Sequence, residues 1–184
     1  MVSITTVTLL GCQIASAREL YAALSDQAAS SYILKHLQSM ASIVASHNGC
    51  IIKTMNDGLN TVFPNASLAI AAATEIANSS VKWDVTIRQA IHQGSAIVAT
   101  INDRLDYFGE TPQYLDELLR SSLPNELWIS DRSWNDSNIV SEVERDWSVQ
   151  MEPPMPNWPN WNIVRATSKR TIEFEHHTDI VDGG

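Results

Sequence analysis

Residues 50–63 read CIIKTMNDGLNTVF, and the reading of the whole chain turns on them. Cys50 to Met55 and Leu59 to Phe63 are short runs of apolar and β-branched residues, the composition of half-buried strands. Between them, Asn56-Asp57-Gly58 is a tight-turn signal, because Asn and Asp tolerate left-handed backbone and Gly adopts it without steric cost. The stretch predicts a β-hairpin with Asp57 at its tip. A turn aspartate is one reading of that residue; a metal ligand is the other.

Upstream, Ile4 to Ile14 (ITTVTLLGCQI) is apolar and β-branched with no helical period, which predicts a buried strand. From Arg18 to His47, apolar residues recur at Leu20, Ala23 and Leu24, then at Ile33, Leu34, Leu37, Met40, Ala41 and Val44. The spacing predicts two helices with a break near Ser30-Ser31, the second ending at His47-Asn48-Gly49. Downstream, Ser67 to Ala77 is Ala-rich and helical, with Asn65 or Ser67 as its cap. Val85 to Ile101 (VTIRQAIHQGSAIVATI) is strongly β, and Gln93-Gly94 predicts a second hairpin within it. A loop over 102–109 follows. Thr111 as cap and Pro112 at the first helical position then start a helix carrying Leu115, Leu118 and Leu119. Glu126 to Ser130 reads as a strand, 151–161 as an irregular Pro-rich segment, and 162–166 as a last edge strand. The order predicts one α+β domain over 1–166, with a central, mostly antiparallel sheet flanked by helices and a polar tail over 167–184.

Composition narrows the function. The 184 residues are 44% hydrophobic and 18% charged, enough for a real core. Lys and Arg number 12 against 21 Asp and Glu, a net charge of −9. Such a surface repels phosphate backbones, so a nucleic-acid partner is not expected. No apolar run reaches the length of a membrane span. Cys12 and Cys50 lie in apolar runs without metal spacing and read as two reduced core thiols, which points to a cytoplasmic setting. His92 reads as a core residue. His176-His177 in the tail lacks neighbouring ligands. Of the six tryptophans, Trp128, Trp134, Trp147, Trp158 and Trp161 fall late and read as packing at a sheet edge.

The hairpin stretch resembles the Lys-Thr-Ile-Gly-Asp signature of class III adenylate/guanylate cyclases. Ile87 to Ile101 resembles that family's Arg-x-Gly-Ile-His-x-Gly stretch. DYFGETPQYLDE, from Asp106 to Glu117, resembles its Asp-x-x-Gly-x-Thr-Val-Asn-x-Ala-x-Arg helix start, and ELWIS at 126–130 resembles the strand that follows. The segments keep the family's order over roughly residues 5–166. The resemblance implies a ferredoxin-like cyclase fold that dimerises head to tail, either with itself or with another cyclase-type domain. It also implies ATP or another nucleotide as ligand and Mg²⁺ or Mn²⁺ as cofactor.

Cyclisation asks for two ions about 3.5–4 Å apart that stabilise the attacking and leaving oxygens. The resemblance implies two Asp ligands for them. One falls on Asp57; the other falls on Gln13, a neutral amide and a poorer ligand for a hard cation. The family's phosphate-holding Val-Gly-Phe-Thr falls on Ala15-Ser16-Ala17-Arg18, where Ser16 stands in place of a glycine. Lys53 and Asp106 match the pair that reads the adenine edge, although a structural ion pair would use the same residues. The transition-state Asn and Arg fall on Gln113 and Glu117, the second a reversal of charge. Arg120, one turn further on, does not align with the lost cation. With Gln13, Gln113 and Glu117 at three catalytic positions, the expectation is an impaired cyclase homology domain acting as a dimerising signalling module, with nucleotide binding through Lys53 and Asp106. The alternative is an active adenylate cyclase making cyclic AMP from ATP.

Overall fold

Strand β1 (Val2–Ile14) is the spine of the computed structural model, which describes residues 2–83, 85–101, 103–134 and 137–169. Its β-branched and apolar residues pair on both sides, with β3 (Gly58–Phe63) on one and β4 (Ile87–Ile101) on the other, both antiparallel. The sheet order is β2-β3-β1-β4-β6-β8-β7, and β5 (Arg104–Phe108) pairs with the far half of β4. Here β2 is Cys50–Thr54, β6 Glu126–Ser130, β7 Trp147–Glu152 and β8 Ile163–Ser168. The β4–β6 pair is parallel and the other pairs are antiparallel. This is the expected α+β architecture with a mostly antiparallel central sheet.

Alternation along the strands divides the core. Leu10, Cys12 and Ile14 face the layer formed by α2 (Asp26–Ser46) and α3 (Ala66–Trp83). Val7 and Leu9 face α4 (Glu110–Ser121), whose Tyr114, Leu115, Leu118 and Leu119 are buried. Two further helices, α5 (Asp131–Trp134) and α6 (Ser137–Asp146), follow β6.

Several local expectations give way to tertiary packing. The first helical pair breaks at Leu24-Ser25 rather than at Ser30-Ser31: α1 is Ala17–Ala23, and Ser25 caps α2 by accepting from the Ala28 amide at 3.3 Å. β4 runs unbroken through Gln93-Gly94. Gly94 is there for clearance, since a Cβ on it would lie 2.5 Å from Thr111 Oγ1 on α4. The second hairpin is instead β4–β5, which lies where a loop was expected. Thr111 does not cap α4; its hydroxyl donates to the Ser95 carbonyl at 2.6 Å, and Gly109, at φ 112°, holds the N-cap position. Asn65 is the cap of α3, accepting from the Leu68 amide at 2.9 Å. The edge strand is β7, and β8 lies inside the sheet between β6 and β7, reaching Ser168. The tail from 170 on, with His176-His177, lies outside the described residues. Cys12 is buried and its thiol is pushed up to about 12 by desolvation, but Cys50 is exposed rather than a core thiol.

Candidate nucleotide cleft and the strap beside it

The β2–β3 hairpin forms as its turn residues require, with the Met55 amide donating to the Gly58 carbonyl at 2.8 Å. Its tip folds back on the end of β1, where the Ile14 amide donates to the Asp57 carbonyl at 2.8 Å. That contact brings the side chains of Gln13 and Asp57 together. Gln13 Nε2 donates to both carboxylate oxygens of Asp57, each at 3.0 Å. An ionised carboxylate only accepts, so the amide nitrogen must face it and Gln13 Oε1 is turned away. The donor set is one carboxylate already engaged by an amide. It does not fit the two-carboxylate centre that a pair of hard divalent ions requires. Among the described residues, no group of three or more His, Cys, Asp or Glu side chains is placed to hold a metal ion.

Arg88 lies directly across from Gln13 in the β1–β4 register and so shares its face of the sheet. It is partly buried, and its Nε is enclosed without a hydrogen-bond partner among the described residues. In the sequence it is the Arg that opens the Arg-x-Gly-Ile-His-x-Gly-like stretch, but nothing local places it opposite Gln13.

Lys53 and Asp106 converge at a second place. Both line a cavity of about 120 Å³ between the sheet and α4, with Leu9, Ile52, Tyr107, Pro112 and Leu115 as apolar wall. Asn60, the register partner of Lys53, and Asp116 of α4 complete the lining. Asn60 Nδ2 donates to Asp116 Oδ1 at 2.9 Å. Asp106 Oδ1 accepts from the Tyr107 amide at 2.9 Å. Neither Asn60 nor Asp116 was singled out by sequence, because their meeting depends on α4 packing across β1 and β4.

The transition-state positions do not join either group. Gln113 is exposed on α4 and lines neither place. Glu117, solvent-accessible on α4, is engaged by the strap: it accepts from Trp158 Nε1 at 2.5 Å and from Asn157 Nδ2 at 3.1 Å. These bonds, Trp158 first, hold its carboxyl below the usual carboxylate range. They moor the Pro-rich strap over 153–162 against α4. Trp158 and Trp161 stack at 5.2 Å with 13° between their planes, and both pack on Tyr114. Trp161 also packs against His92 at 4.8 Å, and the Arg132 guanidinium lies 5.8 Å above its ring. His92 is fully buried with Nδ1 paired to Ser130 Oγ at 2.8 Å. Desolvation, with Arg132 adding to it, lowers its pKa to about 3, which makes it a neutral core residue.

Solved nucleotide cyclase domains share this architecture. A monomeric guanylyl cyclase domain of the RhoGC fusion protein from the aquatic fungus Blastocladiella emersonii matches with a TM-score of 0.74 at 15% identity, covering 91% of this chain and 97% of that one. The adenylyl cyclase CyaB from P. aeruginosa matches at 0.73 and 17% identity, over 92% of this chain and 97% of its own. The guanylate cyclase domain of RhGC from Catenaria anguillulae, in complex with GTP, matches at 0.74 and 14% identity, over 90% and 98%. No family model and no curated protein matches the sequence. The chain therefore has the cyclase catalytic-domain fold. Among the described residues, no helix is long and apolar enough to cross a membrane.

Proposed function

We propose that this chain is a cyclase-fold module that binds a nucleotide and dimerises without cyclising its ligand. The observation that carries the reading is the Gln13–Asp57 pair: an amide stands where a second carboxylate would be needed, and it occupies the carboxylate that remains. Glu117 adds to it, since an anion bound to a tryptophan lies on the helix position that the family resemblance gives to a cation. A developing negative charge would find no stabilising partner there. Nucleotide binding is supported by Lys53 and Asp106 lining one cavity and by Arg88 lying on Gln13's face of the sheet.

Dimerisation is supported by an exposed apolar row. Ile4, Ile97 and Phe108 are successive cross-strand partners on β1, β4 and β5, and Ile4 is 75% exposed. Contiguous exposed apolar side chains of this kind mark protein contact surfaces. A signalling or scaffold role follows, because a ligand that favours one subunit arrangement shifts its population without chemistry.

Two measurements test the reading. Incubation with ATP or GTP and Mg²⁺ or Mn²⁺ should yield no cyclic nucleotide, and calorimetry should detect nucleotide binding. Metal-dependent product that vanishes in Asp57→Ala would establish the active-cyclase alternative in its place. Sedimentation should show a dimer that Ile97→Lys weakens.

A further inference from the structure

Arg132 and Glu142 line one cavity as opposite charges without pairing, and from that separation we infer a site for a small zwitterion bearing a carboxylate and an ammonium group. The cavity, of about 460 Å³, is walled by the start of α3, by α5 and by α6, and reaches Gln93 of β4. It shares no lining residue with the Lys53–Asp106 cavity and does not depend on the nucleotide-binding reading. Its volume is that of an ordinary small-molecule pocket. Elsewhere opposite charges do close on each other: Arg145 meets Asp146 at 3.0 Å, and Arg165 meets Glu126 at 3.3 Å and Glu152 at 3.1 Å. Arg132 reaches no carboxylate of the described residues. Its guanidinium lies 5.8 Å above the Trp161 ring. Stacking uses the face of that planar group and leaves its N–H edge for a ligand. Its positive field is felt at buried His92, where it adds to desolvation in lowering the pKa.

Glu142 is held in place by the Ser67 hydroxyl, which donates to its Oε2 at 2.6 Å. A carboxylate has about four lone-pair sites, so one hydroxyl leaves capacity for an ammonium. Asn65 adds a neutral donor: its Oδ1 is taken by the Leu68 amide, and its Nδ2 remains. No other charged side chain of the described residues lines the cavity. A simple anion would gain Arg132 and be repelled by Glu142, and a simple cation would meet the reverse. Either would desolvate one charge without giving it a partner, which costs more than the bond that is made. A molecule carrying both charges satisfies both walls, and each contact is of the strong, charge-assisted kind. Amino acids and their longer-chain analogues are the class with this chemistry, and the span between the two walls selects among them.

Calorimetric titration of the whole chain with glycine, β-alanine, γ-aminobutyrate and ε-aminocaproate tests this, because the series places the same two charges progressively further apart. One member should bind with a Kd of about 1 mM or tighter. Its counterparts lacking the ammonium or lacking the carboxylate (butyrate and butylamine for γ-aminobutyrate) should bind at least about tenfold more weakly. Arg132→Gln and Glu142→Gln should each weaken the preferred member by about tenfold; Gln at 142 keeps an oxygen that can accept from Ser67. No binding by any member would overturn the inference. A singly charged counterpart binding as tightly as the zwitterion would overturn it too, as would unchanged affinity in either folded variant. The comparison of counterparts on the parent chain decides the matter even where a variant is poorly folded.

Discussion

Helix α4 separates two regions of opposite character. On one side, Asp116 and Leu115 line a small cavity with Lys53 and Asp106. On the other, Tyr114 and Glu117 carry a strap of stacked tryptophans, tied down by the bonds of Trp158 and Asn157 to Glu117. Residues 114 and 117 share one face of the helix and 115 and 116 another, so one short sequence serves both. The contrast shows how one short helix can serve two surfaces, one face packed under the strap and the neighbouring face lining a cavity.

If the two sides are independent, changes under the strap should move stability and leave nucleotide affinity alone. The largest effect belongs to His92. The folded protein holds it neutral down to about pH 3, whereas the unfolded chain takes up its proton near 6.5. The unfolded state binds more protons across that window, so stability falls as pH drops from 6.5 toward 3, by up to about 1.4 kcal/mol per pH unit. Denaturant titrations at stepped pH should give a visibly flatter acid limb in His92→Gln; an unchanged limb would move the effect to other groups.

On the cleft side, Gln13→Asp would restore a second carboxylate beside Asp57. The parent's unfolding free energy should not respond to Mn²⁺, and the variant's should rise with it, by about 2–3 kcal/mol at a hundredfold excess over Kd. A parent that responds as strongly would break the distinction between an engaged and a free carboxylate.

Trp158→Ala removes a partly buried ring and one hydrogen bond. It should cost about 2 kcal/mol of unfolding free energy, below the range for fully buried tryptophans. Nucleotide affinity should stay where it was, and a large change in it would show that the two sides are coupled through α4. The smallest effect is Glu117's. Its folded pKa is lowered, so its contribution is present above the unfolded value of 4.5 and is lost as pH falls through the folded one. Exposure to solvent keeps it small. Glu117→Gln should trim the stability of the strap only above that range, read by tryptophan emission against pH.

The amino-acid sequence by itself determined the elements whose signals are local. The β2–β3 hairpin follows from Asn56-Asp57-Gly58, the end of α2 from Asn48 at φ 59°, and the α+β order from the alternation of period-two and helical runs. It also named Gln13, Lys53, Asp57, Asp106 and Glu117 as the residues to watch. Only the tertiary structure decided who meets whom. Gln13 and Asp57 are 44 positions apart, Asn60 and Asp116 are 56, and Glu117 and Trp158 are 41. The same holds where local reading failed. Gly94 looks like a turn until α4 is seen crossing it, and Arg104 to Phe108 look like a loop until β4 offers them a ladder. Turn and period signals act over a few bonds. A side chain's partner depends on which elements pack together, and that is set by burying one shared core.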